Sequence, residues 1–172
     1  ADLPTADVLV HCGDFTDMGT EQEVLDFLNW FIELPYPNKL FVTGNHDLCL
    51  WDAENIEDLP RNVYFLQDRG CEIDDVKFFG LGYNHQESLI PTDVDILITH
   101  EPPLMILDKS SGRHWGNLSL RNQVVEVKPQ YHLFGHAHES YGMAQMGATI
   151  FSNGSVLDNQ YQLYHAPRLI EL

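Results

Sequence analysis

The sequence predicts an α/β fold with two packed β-sheets covered by helices, and three observations carry that prediction. Short apolar runs alternate with a helical periodicity in the first half of the chain. In the second half such runs come in neighbouring pairs around turn residues. Four apolar runs also lead directly into clusters of polar side chains: Ala6 to Asp14 (ADVLVHCGD), Lys39 to Asp47 (KLFVTGNHD), Asp95 to Pro103 (DILITHEPP) and Tyr131 to His138 (YHLFGHAH). Ligands of an open α/β sheet bind beyond the carboxyl ends of its strands, where loops converge. These four clusters are therefore the first place to look for function.

The elements follow in order. Ala6 to Asp14 is apolar and β-branched and ends in Gly-Asp, the pattern of a buried strand running into a loop. Thr20 and Glu23 have the spacing of a capping box. Val24, Leu25, Leu28, Phe31 and Ile32 then recur at helical intervals until Pro35 and Pro37 stop them. Lys39 to Asp47 repeats the strand-to-polar-loop pattern, and Asn62 to Gln67 (NVYFLQ) reads as a further strand. Cys71 to Tyr83 reads as two strands around the turn-forming pair Asp74 and Asp75. A helix from about Asn117 to Val127, closed by Lys128-Pro129, precedes the strand that ends in GHAH. The remainder, Met143 to Ser155 and Tyr161 to Leu172, reads as antiparallel strands broken by Gly147 and Asn153-Gly154. No linker divides the chain, so residues 1–172 are expected to form one domain.

A net charge of -17, from 9 basic and 26 acidic residues, repels phosphate backbones and argues against a dedicated nucleic-acid binder. It leaves room for a small phosphate-containing substrate, because bound cations reverse the sign locally. Cys12, Cys49 and Cys71 are odd in number and lack C-x-x-C spacing. A disulfide framework is not expected, and a reducing, cytoplasmic setting is. No apolar run reaches the roughly 20 residues of a membrane span.

The polar clusters offer carboxylate, amide oxygen and imidazole: Gly13-Asp14, Gly44-Asn45-His46-Asp47, Thr99-His100-Glu101 and Gly135-His136-Ala137-His138. That set suits a borderline divalent cation such as zinc, manganese or iron, and the lack of thiolates argues against a closed structural zinc site. Singly, a Gly-Asp pair is a turn and Asn-His-Asp a cap or solvated loop. Their order is far more specific. GDFTD at Gly13 to Asp17, GNHD at Gly44 to Asp47, THEPP around His100 and GHAH at Gly135 to His138 together resemble the signature of the calcineurin-like metallophosphoesterases. VLVHCGDFTDMG, THEPPLMILD and YHLFGHAHESYG are most similar to the small phosphodiesterase branch that includes the MPPED proteins.

The resemblance implies a four-layer αββα sandwich with a two-metal site holding manganese, iron or zinc. By position, Asp14 would bridge the metals, Asn45, His100 and His136 would complete one site, and His138 would belong to the other. His46 would face the leaving group, with Asp47 orienting it and fixing its tautomer. The implied activity is hydrolysis of phosphate esters, phosphodiesters above all, with a metal-bridging hydroxide attacking in line and no enzyme nucleophile. One family element is missing. The D-x-H motif would lie upstream, and neither Asp2 nor Asp7 has a histidine two residues on. The fold is thus expected to lack its first strand, and two alternatives stay open: a catalytically impaired single-metal domain, and a protein-interaction module on a decayed phosphoesterase fold.

Ordinary roles are expected for the other candidates. His11, His85, His114, His132 and His165 lack ligand spacing, Asp17 braces its loop, and Asn153 makes a turn. Ser111 to Asn117 could contact substrate, Arg113 pairing with phosphate and Trp115 stacking on a base, but reads first as a surface loop.

Overall fold

The computed structural model describes residues 3–83 and 89–172; Asp2 and His85 lie outside them. The strands are β1 (Val8–His11), β2 (Asn38–Phe41), β3 (Val63–Phe65), β4 (Arg69–Ile73), β5 (Val76–Gly80), β6 (Ile96–Ile98), β7 (Lys109–Ser110), β8 (Arg113–His114), β9 (Tyr131–Phe134), β10 (Gly142–Met146) and β11 (Thr149–Asn153). The α-helices are α1 (Glu21–Glu33) and α2 (Leu118–Val127). Strands β1, β2 and β3 form a parallel three-stranded sheet. A six-stranded sheet has the order β10-β11-β9-β6-β5-β4, its four inner strands parallel and both edges antiparallel; β7 and β8 make a separate ribbon.

Four layers follow from period-two alternation, which sends successive side chains to opposite faces of a sheet. On β2 and just beyond it, Phe41 packs outward against Val24, Phe27, Leu28 and Phe31 of α1, while Leu40 and Val42 point the other way. They meet Phe78, Ile96 and Ile98 of the larger sheet, forming the core between the sheets. Phe79 and Leu97, next to those residues in sequence, face outward and pack with Leu120 and Val124 of α2. The order is helix, sheet, sheet, helix, with an apolar cluster at each of the three interfaces.

The predicted signals act locally as expected. Thr20 Oγ1 accepts from the Glu23 N–H while the Glu23 carboxylate accepts from the Thr20 N–H, a complete capping box. The buried stripe of α1 is Val24, Phe27, Leu28 and Phe31, so Leu25 lies outside it at 53% exposure. Asn117 caps α2, and Lys128 ends it in the left-handed region at φ 57°. Asp74 and Asp75, at φ 49° and 65°, make the tight turn between β4 and β5.

One expectation is corrected. Residues 161–172 form no strand; an isolated antiparallel bridge between Leu157 and Leu163 is their only sheet-like feature. Pro167 supplies no N–H for a ladder, and the Tyr164 and His165 N–H groups both turn back to the Val156 carbonyl. No helix among the described residues is long and apolar enough to cross a membrane.

Candidate metal centre

Four loops meet at one end of the two sheets because the strands feeding them are parallel neighbours. β1 pairs with β2, and β6 with β9. The ladders run on into the loops: Val42 N–H donates to the His11 carbonyl, Thr99 N–H to Leu133, and Gly135 N–H to His100. Close approach between the sheets is what Gly13 permits. A β-carbon there would lie 2.6 Å from the Gly44 nitrogen and 2.8 Å from His100 Nδ1, and its φ of 90° also favours glycine.

At this junction His100 is 2% exposed. Its Nδ1–H donates to the Cys12 carbonyl at 2.8 Å, which fixes the tautomer and leaves Nε2 as a lone pair. Around that lone pair lie Asn45 Oδ1 at 2.9 Å, His136 Nδ1 at 3.1 Å and Asp14 Oδ2 at 3.2 Å; Asn45 Oδ1 and His136 Nδ1 are themselves 2.9 Å apart. The carboxylate and the two imidazoles each bring a ligand atom within 4.8 Å of the others. Acceptor atoms facing one another in this way repel unless a proton or a metal cation sits among them. This nitrogen-and-oxygen set fits a borderline divalent ion such as zinc, manganese or iron.

The backbone is shaped for this convergence. Asp14 and His136 occupy the left-handed region at φ 57° and 64°, conformations that non-glycine residues keep only where the surroundings determine them. Burial pushes the Asp14 carboxyl up, yet the hydrogen bond and charge of His100 and the His46 N–H hold it below the usual range. Burial alone would lower His100, but Asp14 raises it above an ordinary histidine. Burial first, and then the neighbouring His100, depress His136 to about 4, which keeps its lone pair available.

The remaining candidates lie beside this cluster. A cavity of about 240 Å³ opens onto it, lined by Asp14, Asn45, His46, His136 and His138 together with residues of other segments. The His46 N–H donates to Asp14 Oδ1 at 2.9 Å. Its Nδ1–H donates to the Asp17 carbonyl at 2.8 Å, which fixes the orientation of the ring. His138 lines the cavity but stands apart from the four converging atoms, its Nδ1 bonded to the Asp158 carbonyl at 3.0 Å.

Asp47 calls for a correction: the group that orients the His46 ring is the Asp17 carbonyl, not the Asp47 carboxylate. That carboxylate is fully buried and accepts from the N–H groups of Asp14, Phe15, Thr16 and Gly44 and from the Thr16 hydroxyl, at 2.7 to 3.1 Å. It clamps the GD loop to the GNHD loop. Asn153 is more than a turn residue, since its buried amide donates to the Leu107 and Ala137 carbonyls and so braces the GHAH loop. His11 packs among Phe15, Phe27 and Phe31, and His132 bonds Thr99 inside the larger sheet. His165 stacks on Tyr141.

Sequence reasoning missed most of the cavity walls: Ser110 of β7, Glu139, and Asn159 and Tyr161 after β11, while Ser111 opens the stretch read as a possible substrate-contacting loop. It also missed Asp108, 1% exposed, which holds the base of the ribbon through the Met105 and Gly116 N–H groups and the His114 ring. Arg113 and Trp115 lie on the exposed outside of that ribbon and do not line the cavity. The turn pair Asp158-Asn159 was the only local signal for the tail wall.

Comparison with known proteins agrees with this geometry. The profile described as "Calcineurin-like phosphoesterase" matches residues 1–140. The chain is 36% identical to UPF0046 protein K07C11.7 of Caenorhabditis elegans, over 96% of this chain and 68% of that protein. It is 34% identical to the human Metallophosphoesterase domain-containing protein 1, over 99% of this chain and 66% of that protein. It therefore spans about two thirds of the length of these relatives. Among solved structures, protein TT1561 of Thermus thermophilus superposes with a TM-score of 0.64 at 14% identity, covering 87% of this chain and 77% of that one, which is a likeness of fold. With the ordered motifs, the four-layer architecture and the converging donors in agreement, the chain belongs to the calcineurin-like phosphoesterase family.

Proposed function

We propose that this protein is a metal-dependent hydrolase of small phosphate esters with a preference for phosphodiesters. The observation that carries the reading is the convergence of Asp14 Oδ2, Asn45 Oδ1, His100 Nε2 and His136 Nδ1 at the floor of a cavity lined by His46. A divalent cation held there supplies Lewis-acid polarisation and a water ionised near neutral pH. The protein's own residues do the rest. Asp14 and Asn45 set the charge and position of the site, and the buried Asp47 clamp keeps both loops in place. His46, its ring held by the Asp17 carbonyl, carries a proton at Nε2 to the leaving oxygen. The diester preference is supported by the cavity wall, whose described residues include Asp14 and Glu139 but no lysine or arginine. A singly charged diester is better tolerated there than a doubly charged monoester.

Hydrolysis of an aryl phosphodiester and of the matching monoester, with added manganese, tests this reading. His46→Ala is expected to lower kcat for the diester by ~10² to 10⁴ while leaving metal affinity intact. Turnover of neither ester by the metal-loaded wild type would reject the proposal.

A second reading has its own support. Among the described residues the group that could hold an ion is Asp14, His100 and His136, with His138 outside it, which favours a single-ion site of low activity. One bound ion per chain without turnover selects it, and two ions with turnover exclude it. The three free cysteines support a reducing, cytoplasmic location, where manganese, iron and zinc are all available to such a site.

A further inference from the structure

Part of the cavity wall belongs to no motif: Asn159 and Tyr161, from the segment after β11. That segment is a tight turn built around Asp158. The carboxylate oxygen Oδ1 of Asp158 accepts from the N–H groups of Gln160 and Gln162 at 2.8 and 2.9 Å. Its carbonyl accepts from Tyr161 at 3.0 Å, and its own N–H donates to the Gln162 carbonyl at 2.9 Å. Leu157 and Leu163 bridge across the base.

Two bonds fasten this turn to the GHAH loop. His138 Nδ1 donates to the Asp158 carbonyl at 3.0 Å, and Asn159 Nδ2 donates to Glu139 Oε1 at 2.7 Å. The same Glu139 oxygen accepts from the Ser111 N–H at 2.9 Å, so ribbon tip and tail turn share one anchor.

The product of this construction is the placement of Tyr161. Its backbone lies in the left-handed region at φ 57°, which a bulky side chain seldom adopts. Its ring is 66% exposed and meets the His138 ring at 79° with centroids 5.4 Å apart. An exposed aromatic ring is thus fixed at the mouth of a polar cavity by a turn whose polar groups bond one another. Among the described lining residues it is the one side chain besides the histidines with a flat ring.

We propose that Tyr161 is a specificity-determining residue: its ring is a stacking face for a planar ring carried by the ester, so aryl or nucleobase-bearing phosphodiesters are selected over alkyl ones. The inference rests on the phosphoesterase reading of the same cavity and adds the class of the organic group. Stacking of a base or aryl ring on an aromatic side chain is tolerant of the ring's identity, because every such ring has a π-face. Class selection is therefore expected, without selection among individual rings.

The test compares phenyl para-nitrophenyl phosphate with methyl para-nitrophenyl phosphate, which share a leaving group and differ only in the spectator. Tyr161→Leu keeps apolar bulk and removes the flat face; Tyr161→Phe keeps the face. The Leu variant is expected to lower kcat/KM for the phenyl ester about tenfold and to leave the methyl ester unchanged, while Phe preserves the wild-type ratio. A Leu variant that lowers kcat/KM for neither ester overturns the proposal, whereas an equal loss for both, with the Phe variant unchanged, makes the shared para-nitrophenyl ring the one that stacks. Affinities of phenylphosphonate and methylphosphonate for the manganese-loaded protein, measured by calorimetry, give the phenyl-to-methyl ratio without turnover. Failure of the wild type to turn over either ester would then count against the phosphoesterase reading, while the phosphonate ratio still decides the role of Tyr161.

Discussion

Asp47 shows how much of the site is carried by a residue that never reaches the cavity. Its carboxylate is the meeting point of N–H groups from two loops that arrive from different strands. Burial works to raise its pKa and the nearby Asp14 charge adds to that; the N–H donors and the Thr16 hydroxyl oppose them, and the group stays above the ordinary carboxylate range. Replacing it by alanine leaves those donors buried without acceptors. Asp47→Ala is expected to cost about 3 to 5 kcal/mol, the scale of removing one side of a buried charged network. Urea denaturation reads that loss, and Asp47→Asn, which keeps two acceptor lone pairs, falls between. The motif GNHD pointed to the right residue for the wrong contact. Sequence order shows that Asp47 follows His46, but only the fold shows that its carboxylate turns back to the GD loop.

Among the elements, α1 connects helix capping to the chemistry. Glu23 does more than close the capping box, because its second oxygen accepts from the N–H groups of Asp17 and Met18 and so fixes the loop whose Asp17 carbonyl orients His46. Hydrogen bonds from Thr20 and then from Met18 depress its pKa from 4.5 to about 2. A depressed carboxylate stabilises the fold at pH values above its unfolded pKa, and that contribution is lost as pH falls toward the folded value. Wild type is therefore expected to lose helix and loop order between about pH 4.5 and about 2. Glu23→Gln should flatten that stretch of the stability curve, as followed by circular dichroism. A curve of unchanged slope in the variant would show that Glu23 is not the group responsible.

Legibility followed locality at this scale. The capping box, the Asp74-Asp75 turn and Lys128-Pro129 act within a few residues of themselves, so the sequence displays them. The tail wall depends on Asp158, Asn159 and Glu139 meeting across a gap of about 20 residues, and no short pattern encodes that meeting. The expected strand over residues 161–172 failed for a related reason. Alternating apolar residues identify a strand only where a partner strand is available, and the segment turns back upon Val156 instead.

For the whole molecule, a charge of -17 is spread over a fold in which the buried donor site already holds one carboxylate against another. Self-repulsion of that size opposes the compact state. Raising ionic strength from about 0.01 M to about 0.15 M shortens the screening length from about 30 Å to about 8 Å and should raise Tm. A scanning-calorimetry series in sodium chloride, with the metal chelated, would show this. A Tm that stays flat or falls would mean that the acidic residues are too dispersed to matter. Two sheets covered by helices were readable from the order of strands and helices, and the four layers from the family resemblance; Leu40, Phe41 and Val42, like Ile96, Leu97 and Ile98, are apolar throughout, so only the fold assigns each to its interface. The strand order was not readable, since pairing of β11 beside β9 is set in space and not by neighbourhood in sequence.

That pairing bears on where the chain can be cut. The recognisable signature stops at His138, and the two strands after it look dispensable on paper. Yet β11 hydrogen-bonds along Tyr131–Phe134, the strand that delivers GHAH, and β10 shields β11 in turn. An expression boundary drawn just past the signature would leave the backbone donors and acceptors of β9 bare along an apolar edge. Such an edge recruits other chains, and the shortened product would go to inclusion bodies before its chemistry could be assayed.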